Sequence, residues 1–237
     1  MNRINDYLKE WNISLSDRQL QSFETYHALL AEWNSFMNLT AITEKSEVIL
    51  KHFVDSLALL HYMDLSKQEY TLIDVGTGAG FPGIPLKIAV PSLQVTLVDS
   101  QQKRIRFLNT VIDALKLTGI RTIHSRAEDL GHDEEFREKF DLCTPRALAN
   151  LTVLSEYCLP FVKTGGYFIP YKSEKTESEL KDAAHALLVL GGEVKEVYSY
   201  RLPASDLNRS LIMIQKKKGT PSKYPRKAGV PSKEPLK

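Results

Sequence analysis

The chain has 237 residues, 43% of them hydrophobic and 25% charged, with a formal net charge of +2, a composition typical of one soluble globular domain with modest extensions. No apolar run approaches the roughly 18 residues of a membrane helix, and the amino terminus lacks the apolar core of a signal peptide, so we expect a cytoplasmic protein with no membrane partner. The two cysteines, Cys143 and Cys158, have no metal-ligand spacing, which predicts buried thiols and no metal.

Residues 1–65 are predicted to form a helical extension. Mostly apolar side chains recur there at spacings of three and four, which is typical of an amphipathic helix packed on a larger domain; they are Leu20, Phe23, His27, Leu30, Trp33 and Met37. A second helix is expected at about 47–63, after a loop at Asn38–Ile42. On that helix His52 and Asp55, at positions i and i+3, lie close enough to touch. They form either a structural hydrogen bond, the simpler interpretation, or a catalytic pair.

The next stretch, Leu72–Gly83, combines a buried strand with a glycine-rich turn. The apolar run ends at Asp74 and Val75, and four glycines at 76, 78, 80 and 83 follow within eight positions. Glycine lets a ligand approach the main chain without meeting a Cβ atom, and open α/β sheets bind ligands at the carboxyl ends of their strands. The turn therefore predicts a nucleotide site, although a tight strand–helix connection would also need glycine.

Two reading frames of this turn indicate different nucleotides. Gly78–Gly83 fits the dinucleotide pattern G-x-G-x-x-G, but it begins three residues after the strand residue Val75, which is late for that fingerprint. The frame Asp74–Gly80, which starts at the strand end, fits an S-adenosylmethionine loop better. No Lys-Ser or Lys-Thr follows the glycines, which excludes a phosphate-binding P-loop.

From residue 70 onwards the predicted strands and helices alternate, which is typical of a mostly parallel sheet with helices on both faces. The seven expected strands cover about 70–75, 94–99, 120–125, 140–145, 166–171, 194–201 and 209–216. The expected helices cover about 83–90, 101–117, 149–162 and 177–190, with a weak one near 133–138. A loop joins the last two strands, which permits them to pair antiparallel.

Acidic residues follow the second and third strands. Asp99 ends the second strand 23 residues after Gly76, where a carboxylate accepts hydrogen bonds from both ribose hydroxyls of a nucleotide. Ala127 and Glu128 follow the third strand, at the place expected for adenine. Glu128 would accept from the adenine amino group, and Ala127 would offer its backbone N–H. For all three residues a helix cap is the alternative role.

The fourth strand leads into Cys143 and Arg146. Its end lies beside the glycine turn in a doubly wound sheet, so Arg146 is expected to point towards the reacting centre, where a buried guanidinium needs an anion or an acceptor. A cysteine here would also suit the thiolate nucleophile of cytosine C5 methylation. That chemistry usually presents Cys directly after Pro, whereas this chain has Cys-Thr-Pro, so Cys143 is interpreted as structural.

The end of the chain is basic. Residues 215–237 contain eight Lys or Arg and one acid, which gives +7 and leaves −5 on the other 214 residues. This asymmetry indicates a polyanionic partner, with Lys223, Arg226 and Lys227 as the expected RNA contacts; a solvated, disordered tail explains the charge equally well. The segment is also too proline-rich for a helix or an inner strand. We therefore divide the chain into the extension 1–65, a main domain 66–217 and a tail 218–237.

Together these motifs resemble the bacterial 16S ribosomal RNA guanine-N7 methyltransferases, once named glucose-inhibited division protein B. The similarity runs over nearly the whole chain and is carried by Asn38–Ile42, His52–Ser56, Asp74–Pro85, Asp99-Ser100 with Lys103-Arg104, Arg126–Glu128, Arg146-Ala147 and Thr220–Gly229. Many S-adenosylmethionine enzymes share the glycine core alone. Its combination with the tail motif Lys223–Gly229 is highly specific.

This resemblance implies a Rossmann-like class I methyltransferase fold with a helical amino-terminal extension and with S-adenosylmethionine as cofactor. The cofactor contacts that it implies are Gly76, Phe81, Ala127, Glu128 and Arg146, and the glycine turn and second strand add Gly78 and Asp99. It also implies methylation of one guanosine in 16S rRNA, so that free 16S rRNA or the small ribosomal subunit is the partner.

Guanine N7 has an in-plane lone pair and no proton to lose, so attack on the methyl group needs no general base, and we assign no catalytic acid or base. Holding the reactants in attack geometry supplies roughly 7–11 kcal/mol of the barrier. Two other classes fit parts of the sequence. A nicotinamide-dependent oxidoreductase would use the Gly78 frame and Asp99, and a non-catalytic RNA-binding assembly factor would need only the basic tail.

Overall fold

The computed structural model describes residues 1, 3–146, 149–173 and 176–236. Ala147, from the Arg146-Ala147 motif, and Lys237, from the basic tail, lie outside these ranges. Within them no helix is both long enough and apolar enough to cross a membrane.

The first 65 residues are mainly helical, as predicted. They form α1 (Arg3–Leu8), a 3-10 turn (Lys9–Trp11), α2 (Asp17–Met37), α3 (Lys45–Val48), a π-helical segment (Ile49–Val54), α4 (Asp55–Leu57) and α5 (Leu59–Tyr62). Ser16 caps α2, because its side chain accepts the N–H of Gln19 while the Gln19 side chain accepts the N–H of Ser16. The segments α3 to α5 run almost without interruption, so they correspond to the predicted second helix with a wider π turn inside it.

The rest of the chain builds one sheet with the strand order β3-β2-β1-β4-β5-β8-β6, and β7 pairs with β8. The strands are β1 (Thr71–Val75), β2 (Gln94–Asp99), β3 (Ile120–His124), β4 (Phe140–Cys143), β5 (Val162–Phe168), β6 (Tyr171–Lys172), β7 (Gly192–Arg201) and β8 (Asn208–Lys216). The pairs among β1 to β5 are parallel, whereas β8 is antiparallel to β5, β6 and β7. This topology confirms the predicted α/β class and its mostly parallel sheet.

The described residues contain eight strands, whereas the sequence predicted seven. Both β5 and β6 face β8 in one continuous register, with Phe168 opposite Ile214 and Tyr171 opposite Leu211. Pro170 lies between them and has no N–H to donate, so it interrupts the ladder. The strand predicted at 166–171 is therefore two short strands along the same edge of β8.

The remaining helices are α6 (Gly83–Ala89), α7 (Gln102–Leu115), α8 (Ala127–Leu130), α9 (Leu151–Cys158) with a 3-10 turn (Leu159–Phe161), α10 (Thr176–Leu190) and α11 (Val230–Lys233). Two predictions are wrong. Residues 133–138 form turns, because one helical turn at Asp133 ends where Glu138 adopts a left-handed φ of 54°. The tail does contain a helix, α11, in which Pro231 occupies the first turn, where its missing N–H is not needed.

The central strand β1 is buried on both faces of the sheet. Leu72 packs in a cluster with the amino-terminal helices, α6 and α7, whereas Ile73 packs in a second cluster with α9 and α10. Successive side chains of a strand point to opposite faces, which explains this division. Because apolar side chains cover both faces, polar groups collect at the carboxyl ends of the strands, where the candidate site lies.

Candidate active site

The loop after β1 is shaped by glycines that serve two purposes. Gly76, Gly78 and Gly80 have φ angles of 68°, 62° and 99°, a region that favours glycine. A Cβ atom on Gly83 would lie 2.4 Å from the Leu97 side chain, so this glycine permits close packing of α6 on the sheet. A Cβ atom on Gly78 would meet nothing within 4 Å. Gly78 is therefore the position at which a ligand can approach the main chain.

Asp74 holds the glycine loop with one oxygen and leaves the other free. Its Oδ2 accepts hydrogen bonds from the Thr77 hydroxyl at 2.7 Å and from the Gly83 N–H at 2.9 Å. In the described chain, Asp74 Oδ1 and the Thr144 hydroxyl oxygen are buried without a hydrogen-bond partner. Burial raises the pKa of the Asp74 carboxyl from 3.8 to about 7. Unsatisfied buried polar atoms are costly, so a donor or cationic group of a ligand would complete this site.

A cleft of about 180 Å³ lies beside the glycine loop. Four residues predicted to bind the cofactor line it, namely Gly76, Asp99, Ala127 and Glu128, together with Tyr157. These four residues follow the ends of β1, β2 and β3. They lie together because parallel strands present their carboxyl ends at the same edge of the sheet.

Asp99 is fixed by backbone donors and by an arginine. Its Oδ2 accepts from the Gly78 N–H at 3.0 Å and from Arg104 at 3.2 Å, and its Oδ1 accepts from the Gln101 N–H at 2.9 Å. The carboxylate thus joins the loop of Gly78 to the start of α7. Asp99 is not the cap of α7, because the N-cap residue is Gln101 and no side chain caps this helix.

Arg146 lies in a second cluster, formed with the π-helical segment and the glycine loop. Its Nη1 donates to the Lys51 carbonyl at 2.9 Å and to Asp55 Oδ2 at 3.0 Å, and its Nη2 lies 2.9 Å from His52 Nδ1. The guanidinium carbon is 5.1 Å from the centroid of the Phe81 ring, and His52 stacks on the same ring at 4.5 Å. Phe81 and Arg146 are therefore neighbours of each other, and His52 and Asp55 share Arg146 as their partner.

Both ring nitrogens of His52 are engaged. Burial, followed by the charge of Arg146, lowers the pKa of His52 to about 3, so the ring is neutral near pH 7. Because the guanidinium can only donate, Nδ1 accepts from it, and Nε2 carries the proton and donates to the Thr40 hydroxyl at 2.8 Å. His52 thus has no free lone pair with which to remove a proton from a substrate.

A second cleft, of about 320 Å³, opens on this cluster. Its lining is rich in cations, and the basic and acidic side chains around it are Lys51, His52, Asp55, Arg146, Lys172, Glu179 and Arg209. Two lysines and two arginines face two carboxylates here, with Arg146 paired to Asp55 at 3.0 Å and Lys172 to Glu179 at 2.6 Å. The charge favours an anionic ligand such as a phosphodiester, while the carboxylates add acceptors for base N–H groups.

The predicted tail contacts differ in their surroundings. The guanidinium of Arg226 is bound by Glu156, with Nε–Oε1 at 2.9 Å and Nη2–Oε2 at 2.7 Å. Lys223 and Lys227 are exposed, and the Lys223 ammonium lies 5.1 Å from the centroid of the Tyr224 ring. The described part of the tail is therefore packed on the protein, which the sequence left open.

Cys143 and Cys158 are buried and free. Burial raises the pKa of the Cys143 thiol well above its usual value, which disfavours a thiolate nucleophile and supports the structural interpretation. Within the described residues no group of three or more His, Cys, Asp and Glu side chains is placed to hold a metal ion.

Sequence reasoning placed Asp74 in the S-adenosylmethionine loop without giving it a role, and it did not assign Thr144 and Tyr157 to the site. Asp74 had a usable signal, because it is an acidic residue at the end of an apolar strand and directly before the glycines. Thr144 and Tyr157 had none, since a lone hydroxyl after a strand or on a helix is common and its environment depends on the packing of distant segments.

Comparison with known proteins gives three findings. Residues 19–210 match the family model described as rRNA small subunit methyltransferase G. The proteins named Ribosomal RNA small subunit methyltransferase G from Lachnoclostridium phytofermentans and Staphylococcus carnosus are 54% and 53% identical; each alignment covers 97% of this chain, and 94% and 95% of those proteins. A solved SAM-dependent methyltransferase from Aquifex aeolicus has a TM-score of 0.53 at 16% identity, covering 75% of this chain and 97% of that one, which shows a shared fold.

Proposed function

Since the chain belongs to the rRNA small subunit methyltransferase G family, we propose that it transfers a methyl group from S-adenosylmethionine to N7 of one guanosine in 16S rRNA. The protein is an S-adenosylmethionine-dependent rRNA methyltransferase. The base and atom that it methylates, the residues that hold the cofactor, and its action in the cytoplasm on 16S rRNA or the small subunit are parts of the proposal.

One observation carries the proposal, namely the pair of buried polar atoms without a partner, Asp74 Oδ1 and the Thr144 hydroxyl, next to the open backbone of Gly78. The methionine part of the cofactor ends in an ammonium group, which donates hydrogen bonds and pairs with a carboxylate. Asp99, at the cleft beside the loop, suits the ribose hydroxyls. The residues present therefore fit S-adenosylmethionine.

Further residues of the first cleft suit the adenine end of the cofactor. Ala127 and Glu128 line the cleft on the side of α8, and Tyr157 lines it on the side of α9. Their backbone donor, carboxylate and aromatic ring match the edge and the face of a purine. Phe81 and Arg146 would stand between the cofactor and the second cleft.

S-adenosylmethionine supplies, when bound, a methyl group on a positively charged sulfur that a neutral nitrogen lone pair can attack. The surroundings of His52 favour N7 of guanine over an exocyclic amine as the attacking atom. An amine must lose a proton, yet both nitrogens of His52 are engaged and its pKa is about 3. A target without a proton needs no base.

The second cleft is the place that we assign to the target guanosine. Asp55 is buried and held by Arg146 and Tyr200. Glu179 is therefore the carboxylate that we assign as acceptor for the base, where it would stabilise the positive charge that guanine gains on methylation. Lys51, Lys172 and Arg209 suit the phosphates next to the target. Lys223 and Lys227 on the tail would extend the contact along the RNA.

The test is methyl incorporation from labelled S-adenosylmethionine into free 16S rRNA, 30S particles and 70S particles. Borohydride reduction followed by aniline cleavage then locates any N7-methylguanosine, because that base is selectively labile. We expect incorporation at one guanosine. Incorporation that resists this cleavage would refute the N7 assignment, and no incorporation into any substrate would favour the non-catalytic RNA-binding class. Binding of NAD instead of S-adenosylmethionine in equilibrium dialysis would favour the oxidoreductase.

A further inference from the structure

The carboxyl-terminal segment 217–236, here called the strap, is fastened to the protein at two places before it reaches the cofactor cleft. The first is Arg137, whose guanidinium donates to the carbonyls of Thr220 at 2.7 Å and Tyr224 at 2.8 Å. Nearby, His132 Nε2 lies 2.6 Å from the Pro225 carbonyl. The loop after α8 therefore holds the first half of the strap.

The second fastening is an ion pair between the partly exposed Arg226 and a buried carboxylate. Glu156, on α9, is 1% exposed, and it receives both the Arg226 guanidinium and the Arg226 backbone N–H, the latter at 2.8 Å. A buried carboxylate that loses its partner keeps the full cost of leaving water. Arg226 therefore anchors the strap to α9 through both its side chain and its backbone.

Beyond Arg226 the strap meets Glu128, which lines the cofactor cleft. The Gly229 N–H donates to Glu128 Oε1 at 2.9 Å, and Glu128 is 6% exposed. The Ser232 hydroxyl donates to the Gly229 carbonyl at 3.0 Å, so the strap also braces Gly229 from within. Gly229 has a φ of 82°, a left-handed conformation that favours glycine. This conformation directs the Gly229 N–H towards Glu128.

We propose that the strap is a structural part of the cofactor site, with Arg226 as a positioning residue that acts through Glu156 and Gly229 to hold Glu128 in the cleft. This inference rests on the proposed function, because it takes Glu128 to recognise the adenine end of S-adenosylmethionine. It gives Arg226 a role different from that of Lys223 and Lys227. The Arg226 guanidinium is paired with Glu156, whereas the two lysines are exposed and available to RNA.

The experiment compares Arg226→Gln with Lys233→Gln in the full chain, using calorimetric titration with S-adenosylmethionine and no RNA. Both variants lose one positive charge from the strap, but Lys233 is exposed. We expect Arg226→Gln to weaken S-adenosylmethionine binding about tenfold or more, the usual worth of a hydrogen bond to a charged group, and Lys233→Gln to bind as the wild type does. Arg226→Lys, which keeps the charge but not the two-point contact, should recover part of the loss.

Two further readouts keep the test decisive if Arg226→Gln folds poorly. Ser232→Ala, an exposed change that removes the hydrogen bond to the Gly229 carbonyl, should weaken S-adenosylmethionine binding about two- to threefold with an unchanged melting temperature. In steady-state assays Arg226→Gln should raise KM for S-adenosylmethionine while kcat at saturating cofactor stays near wild type. A positioning role predicts this split, whereas general destabilisation lowers the active fraction and hence kcat.

The outcomes separate the two proposals. If wild type binds S-adenosylmethionine and both Arg226→Gln and Ser232→Ala bind it equally well, the role of the strap is refuted and the proposed function stands. If Arg226→Gln and Lys233→Gln lower RNA affinity alike and leave cofactor binding unchanged, the strap acts only as a charged RNA contact. If wild type itself fails to bind S-adenosylmethionine, the proposed function falls and the inference with it.

Discussion

Replacement of Asp74 by Asn should change both the pH dependence of stability and the affinity for S-adenosylmethionine. Burial raises the pKa of this carboxyl from 3.8 to about 7, so the folded protein binds a proton more tightly than the unfolded chain does. The stability that this group contributes is fully present below about pH 4 and is lost as the pH rises through 7. Asn cannot ionise and should be free of this loss.

The magnitude follows from the displacement of the pKa. Between pH 5 and pH 8, wild type should lose about 2 to 3 kcal/mol of unfolding free energy relative to Asp74→Asn, at about 1.4 kcal/mol per pH unit. Cofactor binding should respond in the opposite sense, because an ammonium group pairs with the ionised carboxylate. Wild-type affinity should therefore rise towards pH 8, whereas Asp74→Asn should bind at least about tenfold more weakly at pH 8 without that rise.

Urea unfolding at pH 5, 6, 7 and 8, followed by the fluorescence of Trp11 and Trp33, measures the first effect, and calorimetric titration measures the second. Asp141→Asn is a matched control. Burial alone would raise the pKa of Asp141, but contacts with Lys163 and Thr71 lower it. The ionised carboxylate therefore stabilises the protein above about pH 4. Asp141→Asn should lower the free energy of unfolding at every pH tested. Parallel stability profiles for wild type and Asp74→Asn would refute the reasoning about Asp74.

Three other predictions concern the second cleft, the cysteine and the tail. Arg146→Lys should lower kcat/KM by about tenfold or more, because Lys cannot keep the contacts to Asp55 and His52 together; an unchanged value would remove Arg146 from the site. Cys143→Ala should retain methyl incorporation within about threefold under conditions where the variant is folded, and complete loss in a folded variant would revive the thiolate mechanism. Lys223→Gln combined with Lys227→Gln should reduce the slope of log affinity for RNA against log salt by about 1.4, at roughly 0.7 per phosphate contact, and should leave S-adenosylmethionine binding unchanged; an unaltered slope would exclude both lysines from the RNA contact.

The parts of the site predicted from the sequence are those that depend on local pattern. An apolar run, an acid and closely spaced glycines identify β1 and its loop, and an acid at the end of the next strand identifies Asp99. The mostly parallel sheet then places these strand ends together. For this reason the sequence predicts that Gly76, Asp99, Ala127 and Glu128 lie in one region, and all four line the same cleft.

The parts that the sequence left open depend on contacts between distant segments. The Arg146–His52 contact joins residues 94 positions apart, and the Arg226–Glu156 pair joins residues 70 positions apart. The composition shows that the tail is basic and proline-rich. Its packing on the protein, however, depends on Glu156 of α9, which no sequence pattern singles out. The turn at 133–138 also depends on distant residues. There the Arg137 guanidinium donates to the carbonyls of Thr220 and Tyr224 in the strap, a contact that the local sequence does not reveal.

The continuity of the strap has a consequence for the catalytic cycle. A single stretch of main chain displays Lys223 and Lys227 to solvent and, at Gly229, donates to Glu128. If RNA binds these lysines and the cofactor binds beside Glu128, as proposed, a restraint on the lysines would reach the wall of the cofactor cleft through a few covalent bonds. Linkage makes such coupling reciprocal: the factor by which RNA tightens the methyl donor is the factor by which the donor tightens RNA. If both sites are occupied as proposed, loading of the methyl donor and capture of the RNA become steps of one coupled equilibrium.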